Sequence, residues 1–251
     1  MKTMVILNTK GGAGKSTVAL QVAAAYFIQK NENVDLFEFD DENKDSLSFS
    51  NSQIRTKQIK IGDGKDISDV LRENILDDRL ENIVVDVGGN KTTTTFIDGL
   101  KKSSIYKKIN LILIPMSGGE QDTKNAIKTY NLIKDFNIPV VFVLSRVSNV
   151  SRIHWKYTDF FMHFPNSEYI ILRESDVIEL SRHDKRSIYE IATDKELLNL
   201  LDQELDSAFD RNDMDAARRL SIQKEISLEA VEYLEETLEP AWKKIDEACK
   251  G

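Results

Sequence analysis

The sequence contains a single cysteine among its 251 residues, Cys249, and this scarcity excludes several kinds of protein. One thiol cannot form an internal disulfide, and within one chain it cannot supply a thiolate cage for zinc or a four-thiolate cluster. Histidines are almost as rare, since His154, His163 and His183 are the only three, and their spacing matches no metal-binding motif. We therefore expect no structural disulfide and no metal bound through histidine.

Long apolar runs are absent as well. Runs such as residues 111–114 and 140–144 fall far short of the roughly 20 residues needed to cross a bilayer. The amino terminus passes directly into a strand-like run, without the basic region, apolar stretch and cleavage site of a secretory signal. We therefore expect a cytoplasmic protein.

Positive charge is scarce only at the carboxyl end. Residues 195–251 hold eight Lys and Arg against fifteen Asp and Glu, a net charge of −7, which leaves −1 of the total −8 for residues 1–194. A nearly neutral body can carry a local basic face, so composition leaves contact with nucleic acid open. Hydrophobic residues make up 41% of the chain, enough apolar mass for one sizeable core.

Apolar runs alternate with helix-like segments along the first two thirds of the chain. The runs are continuous rather than alternating, which is typical of strands that are covered on both faces. Between them, residues 15–30 and 120–136 repeat apolar side chains at helical spacing. The pattern predicts an α/β fold with a doubly wound, mostly parallel sheet. The predicted strands are residues 3–7, 34–39, 83–87, 111–114, 140–144 and 169–172.

Two stretches depart from this alternation. Residues 41–65 are polar and are interrupted by Gly62 and Gly64, which indicates an exposed connection. From residue 194 the pattern is helical, with a break at residues 212–213 and an interruption at Pro240. We divide the chain into a domain over residues 1–193 and an acidic helical extension over residues 194–251.

A glycine-rich segment lies between the first predicted strand and the first predicted helix. Its glycines allow successive backbone N–H groups to turn toward a polyphosphate at the positive end of the helix. We expect Lys15 to reach the β- and γ-phosphates and the hydroxyl of Ser16 to bind Mg²⁺. The segment therefore predicts a phosphate-binding loop in a P-loop NTPase. The residues expected to bind nucleotide are Gly11, Gly12, Ala13, Gly14, Lys15, Ser16 and Thr17.

The loop has one unusual feature, because Thr9 stands where glycine is common and Lys10 adds a second lysine. The run K-G-G-A-G-K-S-T resembles the deviant phosphate loop of the ParA/MinD family of ATPases, and Asn8-Thr9 is similar to its partition branch. In that family the first lysine reaches across a dimer interface to phosphates held by the other subunit. The resemblance implies that Lys10 acts in trans in a homodimer that sandwiches ATP, and that the chain is a Mg²⁺-dependent ATPase.

Two carboxylates complete the site that the resemblance implies. Asp86 ends the apolar run 83–85, where relatives place the aspartate that binds a magnesium-bound water, and Gly88 and Gly89 follow it. Asp40 matches the second aspartate of the family's D-x-D-P-Q, the residue thought to position the attacking water. This chain reads E-F-D-D-E there, without the proline and glutamine. The implied catalytic residues are Lys10, Lys15 and Asp40.

The sequence also indicates which base the bound nucleotide carries. Ser145 and Arg146 occupy the place where relatives contact adenine, and no Asn-Lys-x-Asp signature for guanine occurs. The sequence therefore favours ATP over GTP.

The resemblance further implies a switch for plasmid or chromosome partition, or for cargo positioning, that binds DNA non-specifically and is stimulated by an adaptor protein. Residues 237–250 carry mixed charges, which argues against binding to an anionic membrane. The candidate DNA-contacting residues are Arg146, Arg152, Lys156, Arg173, Arg182, Lys185 and Arg186.

Three other functions stay open. The chain could be a ParA-like ATPase of a conjugative transfer or secretion apparatus that docks a protein partner through its C-terminal helices. It could be a related redox or metal-delivery ATPase, although those relatives typically pair cysteines across a dimer. It could also be a biosynthetic ligase that uses the same loop.

Overall fold

The computed structural model describes residues 2–39, 49–59, 67–76, 80–89 and 91–250. Its strands are β1 (Lys2–Ile6), β2 (Asp35–Phe39), β3 (Arg55–Gln58), β4 (Asn82–Val87), β5 (Leu111–Met116), β6 (Val140–Val147) and β7 (Tyr169–Arg173). They form one sheet in the order β3-β2-β4-β1-β5-β6-β7, and every pairing in the described chain is parallel. The strand order reverses at β1, which confirms the predicted doubly wound sheet.

The sequence analysis missed strand β3. The interpretation of residues 41–65 as an exposed connection is wrong over their described part, because Arg55–Gln58 pairs with β2 and because Phe49, Ile54 and Ile59 are buried. The strand was hidden because its four residues, R-T-K-Q, are all polar and it lies at the edge of the sheet. Polar and charged residues are common on edge strands, where they discourage pairing with another chain.

Helices cover both faces of the sheet. The first, α1, runs through three contiguous segments, Lys15–Thr17, Val18–Ala24 and Ala25–Ile28. The others are α2 (Ile67–Ile75), α3 (Lys91–Ser103), α4 (Glu120–Ile133), α5 (Ile153–Lys156), α6 (Thr158–His163), α7 (Val177–Asp184), α8 (Ile188–Ala192), α9 (Lys195–Asp210), α10 (Met214–Tyr233) and α11 (Glu239–Ala248). One apolar layer joins the sheet to α1, α7, α8 and the C-terminal helices, and the other joins it to α2 to α6.

The C-terminal helices pack against α1, the helix that follows the phosphate-binding loop. The middle of α1, Val18–Ala24, is π-helical and entirely buried. The indole Nε1 of Trp242 donates a hydrogen bond of 3.0 Å to the carbonyl of Val22, and the Tyr26 hydroxyl donates one of 2.6 Å to Asp246. The predicted helical extension is confirmed, while its boundary at residue 193 stays a prediction.

Both predicted irregularities of the extension have a local cause. Asn212 adopts a left-handed φ of 58°, and the carboxylate of Asp213 accepts a hydrogen bond of 3.0 Å from the Ala216 N–H at the start of α10. Before Pro240 the chain stays helical but widens into a π-helical segment, Leu234–Leu238. A proline ring clashes with the carbonyl four residues earlier in a regular α-helix, so a wider turn there accommodates it.

In the parts of the chain that the structure describes, no helix combines the length and the apolar character needed to span a bilayer.

Candidate nucleotide-binding site

The glycine-rich loop connects β1 to α1 at the carboxyl edge of the sheet, beside the ends of β4 and β5. Gly12 has a φ of +72° and Gly14 has a φ of +88°, in the left-handed region that residues with a side chain rarely adopt. Gly14 immediately precedes the first turn of α1. The loop therefore has the glycine-dependent turn and the helix amino terminus that a phosphate cradle requires.

A cavity of about 610 Å³ opens above this loop. Its size is within the range of small-molecule sites in proteins, which is roughly 300–1,000 Å³. Of the residues predicted to bind nucleotide or magnesium, those that line the cavity are Gly11, Gly12, Gly14, Lys15, Ser16, Thr17, Asp86 and Arg146. Asp40 lies outside the described residues.

The predicted phosphate and magnesium ligands Lys15, Ser16 and Asp86 all line this cavity, and their roles stay predictions. Lys15 is only 8% exposed, and its Nζ donates a hydrogen bond of 3.2 Å to the carbonyl of Lys10. Asp86 is 3% exposed at the end of β4, and Ser16 is half-buried on the first turn of α1. A hydroxyl and a carboxylate oxygen are hard ligands of the kind that Mg²⁺ uses together with waters and phosphate, so this donor set fits a nucleotide-bound magnesium ion.

The segment after Asp86 packs directly on the loop. A Cβ added at Gly89 would lie 3.0 Å from the backbone nitrogen of Gly11, so a side chain there would require the loop to shift by a few tenths of an ångström. The Thr93 hydroxyl lies 2.6 Å from the carbonyl of Gly88 and 3.1 Å from that of Asn8. Thr93, near the start of α3, therefore connects the end of β1 with the segment that follows β4.

Ser145 joins the loop to the neighbouring strands. Its hydroxyl lies 3.1 Å from the carbonyl of Ala13 and 2.9 Å from that of Met116, and its own carbonyl accepts a hydrogen bond of 2.7 Å from Tyr157. Burial and the nearby charge of Asp122 raise the pKa of the Tyr157 phenol, which keeps it a hydrogen-bond donor at neutral pH. Within the loop, Ala13 is buried and does not line the cavity, whereas Arg146 is exposed at the cavity and adopts a left-handed φ of 56°.

Lys10 lies in a different environment from Lys15, although both belong to the same loop. Its Nζ forms an ion pair with Asp122 on the first turn of α4, and the Ser117 hydroxyl donates to the same carboxylate. Burial raises the pKa of Asp122, but the hydrogen bonds from Lys10 and Ser117 outweigh it and leave that pKa below its usual value. Asp122 is thus a charged partner that holds Lys10 beside its own α4.

Sequence reasoning missed Asp122 because an acidic residue in the first turn of a helix is ordinarily explained by the helix dipole.

Sequence reasoning also missed the cavity wall formed by the segment after β7. Arg182 on α7 lies there, with Nη2 3.4 Å from the Thr17 hydroxyl and Nη1 donating a hydrogen bond of 2.6 Å to Glu179. The signal that was available is topological, because loops after parallel strands gather at one edge of the sheet.

The structure divides the seven candidate DNA-contacting residues into three groups. Three form ion pairs with carboxylates: Arg173 with Glu236, Arg182 with Glu179, and Arg186 with Asp194. Lys156 donates a hydrogen bond of 2.5 Å to the carbonyl of Arg146. Within the described chain, Arg146, Arg152 and Lys185 form no ion pair.

The parallel sheet, the glycine-rich turn between β1 and α1, and the polar cavity above it define a P-loop nucleotide-binding protein. Residues 4–157 match the family described as the CobQ/CobB/MinD/ParA nucleotide binding domain, and the chain belongs to this family. The predicted ParA/MinD-type relationship is therefore confirmed.

Solved structures share this fold at low sequence identity. The MinD cell division protein of Aquifex aeolicus superimposes with a TM-score of 0.56 and 12% identity, over 78% of this chain and 90% of that protein. A putative plasmid partition protein from Borrelia burgdorferi, bound to AMPPNP, gives a TM-score of 0.52 and 15% identity, over 73% and 89%. Among curated proteins, none matches this chain in sequence.

Proposed function

We propose that the protein is a Mg²⁺-dependent ATPase that dimerises with ATP bound and acts as a switch for plasmid or chromosome partition or for cargo positioning. The observation that carries this proposal is the separation of the two loop lysines. Lys15 lines the nucleotide cavity, whereas Lys10 is held by Asp122 of its own subunit. A lysine held outside its own cavity is suited to reach the phosphates of a second protomer.

The residues of the site have distinct roles in this proposal. ATP bound with Mg²⁺ supplies the γ-phosphoryl group, on which negative charge develops during transfer to water. The loop N–H groups and Lys15 bind the phosphates, while Ser16 and Asp86 orient the magnesium ion. Lys10 of the second protomer adds positive charge where charge develops, and such preorganised electrostatic stabilisation is a major source of catalysis in phosphoryl transfer.

Sedimentation of the full chain with ADP, ATP and a slowly hydrolysed ATP analogue tests the proposal. We expect a monomer with ADP and a dimer with ATP or the analogue, because only a γ-phosphate gives Lys10 of the second protomer a partner. A monomer under all three conditions would refute the switch and would favour a ligase that uses the same loop.

Replacing Asp122 by asparagine is expected to strengthen ATP-dependent dimerisation. The change removes the charge that holds Lys10 within its own subunit, and such a pair contributes about 1 kcal/mol, or roughly a fivefold change in an equilibrium constant. Because both protomers release their Lys10, two such pairs break in each dimer, and we expect the dimer to form at roughly one twenty-fifth of the protein concentration. Glu120→Gln is the matched control, because Glu120 is exposed on the same helix and pairs with Lys124 instead. Equal or weaker dimerisation of Asp122→Asn would contradict the proposed holding role.

We also propose that the ATP-bound dimer binds DNA non-specifically through basic residues of the body. Arg152 and Lys185 are the best candidates, because both are exposed and neither forms an ion pair within the described residues. Arg186 is a poorer candidate, because Asp194 accepts a hydrogen bond of 2.7 Å from it.

The dependence of DNA affinity on salt tests this interface. Each lost phosphate contact lowers the magnitude of the slope of log K against log salt by about 1. Arg152→Ala with Lys185→Ala removes two contacts from each protomer, so the magnitude is expected to fall by about 4 for the dimer. The control is Lys243→Ala, which removes an exposed lysine from the acidic extension. An unchanged slope in the double variant would reject these contacts.

A second candidate function is docking of a transfer or secretion apparatus through the C-terminal helices. Exposed apolar side chains on α9 and α10 favour it, with Leu200 52%, Phe209 52% and Met214 60% exposed. Deletion of the extension would remove Trp242 from the core, so surface substitutions are the better test. If docking is the function, Leu200→Ser with Phe209→Ser leaves ATP hydrolysis unchanged and abolishes assembly with the apparatus.

A further inference from the structure

A second cavity of about 610 Å³ lies along β7, the last strand of the sheet. It shares none of its lining residues with the nucleotide cavity in the described chain. Tyr169 and Ile171 on its wall belong to one apolar layer, whereas Ala241 belongs to the other. The cavity therefore runs along the outer edge of the sheet, between the two layers of helices, and we call it the β7 groove.

The backbone of β7 presents hydrogen-bonding groups toward this groove. The backbone carbonyl of Glu168 accepts a hydrogen bond of 3.1 Å from the N–H of Phe142, and the Glu174 N–H donates one of 3.1 Å to the carbonyl of Val147. The backbone groups of the even-numbered residues of this segment therefore point toward β6. Because successive residues of a strand alternate in direction, the N–H and C=O groups of Tyr169, Ile171 and Arg173 point away from β6.

One of these outward groups already has a partner. The Tyr233 hydroxyl donates a hydrogen bond of 2.9 Å to the carbonyl of Arg173, which agrees with an Arg173 carbonyl that points away from β6. Within the described ranges, no hydrogen bond occupies the outward N–H and C=O groups of Tyr169 and Ile171. The edge of β7 therefore offers the row of donors and acceptors that an additional strand would satisfy.

The groove also contains a buried hydroxyl without a partner. Thr237 is 2% exposed and lines the groove, and its Oγ1 makes no hydrogen bond in the structure. A buried polar group that lacks a hydrogen bond is destabilising, and a ligand that supplies the bond recovers this free energy. Because the hydroxyl oxygen itself has almost no accessible surface, an occupant of the groove reaches it only when the side chain turns toward the groove.

Charges at the groove favour an uncharged occupant. Arg173 forms an ion pair with Glu236 near one end of β7, and Lys244 contacts Glu168 at 2.7 Å near the other. Because these four charges neutralise one another in pairs, a charged side chain entering between them would find no free counter-ion among them. The span of β7, five residues or about 17 Å, fits a segment of similar length.

We propose that the β7 groove binds an extended, uncharged segment of a partner protein, which adds a strand to the outer edge of β7. Its backbone pairs with Tyr169 and Ile171, and alternate side chains enter the groove beside Val150 and Pro240. On binding, the Thr237 side chain turns so that its hydroxyl bonds to one polar atom of the segment. The β7 groove is separate from the nucleotide site, so a test of peptide binding at the groove does not depend on whether Lys10 acts in trans.

Hydrogen exchange of the full chain tests strand addition. The probe is a pool of capped pentapeptides built from Val, Thr, Ala and Leu, and the comparison is the same pool N-methylated at alternate residues. We expect the first pool to slow exchange of the outward N–H groups of Tyr169 and Ile171 at least tenfold and the second to have no effect, because N-methylation removes the donors. The absence of slowing, or equal slowing by both pools, would overturn the proposal.

Three variants locate the effect. Val150→Trp blocks the mouth of the groove and is expected to abolish the protection, because Val150 is 43% exposed there. Leu228→Trp, at a residue 50% exposed on α10 and outside the groove, is the matched control and is expected to retain it. Thr237→Val keeps the shape of the side chain and is expected to weaken peptide binding about fivefold.

A second copy of the chain could also occupy the edge of β7, and sedimentation without nucleotide distinguishes this case. The proposal predicts a monomer in both the parent and Val150→Trp. A concentration-dependent dimer that Val150→Trp abolishes would overturn the proposal and assign the groove to self-association.

Discussion

Lys10→Ala is expected to abolish ATP-dependent dimerisation and to lower the rate of ATP hydrolysis roughly a thousandfold, while monomeric ATP binding changes little. The scale comes from cations supplied in trans to a phosphoryl-transfer site, which accelerate the reaction by about 10³ to 10⁵. ATP binding is spared because Lys10 is held by Asp122 and does not line the nucleotide cavity of its own subunit. The measurements are steady-state hydrolysis, sedimentation, and titration with a fluorescent ATP analogue.

The single variant leaves the buried carboxylate of Asp122 without its lysine, and a buried charge that loses its partner is destabilising. A second variant, Lys10→Ala with Asp122→Asn, removes that charge and separates a folding defect from a catalytic one. We expect the double variant to recover the thermal stability of the parent and to remain inactive. Hydrolysis and dimerisation at the parent's level in either variant would show that Lys10 has no role in trans.

Lys15→Ala is expected to weaken ATP binding about a hundredfold and to abolish hydrolysis. Lys15 is 8% exposed in the cavity wall, so in the proposed complex its ammonium would meet the phosphates in a partly desolvated site. A charge-assisted hydrogen bond of this kind contributes about 1.5–3 kcal/mol, which corresponds to a tenfold to hundredfold change in affinity. The measurement is the dissociation constant for ATP, obtained by calorimetry in the presence of Mg²⁺.

Lys91→Ala provides the matched control, because Lys91 lines the same cavity but is exposed. We expect this variant to change ATP affinity less than tenfold. If Lys15→Ala and Lys91→Ala had equal effects, the loop lysine would act only through the general positive charge of the cavity, and the phosphate cradle would not be the binding site.

The phosphate loop and most of the sheet could be predicted from local sequence. Continuous apolar runs revealed the strands that are buried on both faces, and the phosphate loop was visible because its chemistry requires glycines and a lysine within a few residues. Strand β3 could not be found in this way, because its R-T-K-Q run carries no apolar pattern and its place is set by pairing with β2. Pairing between segments that are distant in sequence determines where such polar edge strands form.

The partner of Lys10 was hidden for a related reason. Asp122 lies 112 residues further along the chain, and only the placement of β1 beside β5 brings the two together. Arg182, near Thr17, depends in the same way on the loop after β7 returning to the same edge of the sheet. Side chains supplied by one continuous motif can thus be found from sequence, whereas partners supplied by the topology require the structure.

A crystal structure of the protein with Mg²⁺ and a non-hydrolysable ATP analogue tests the central claim most directly, through the position of the Lys10 ammonium. We predict a dimer in which Lys10 has left Asp122 and lies about 3 Å from a phosphate oxygen held by the opposite protomer. A monomer with the analogue bound and Lys10 still paired with Asp122 would contradict the account.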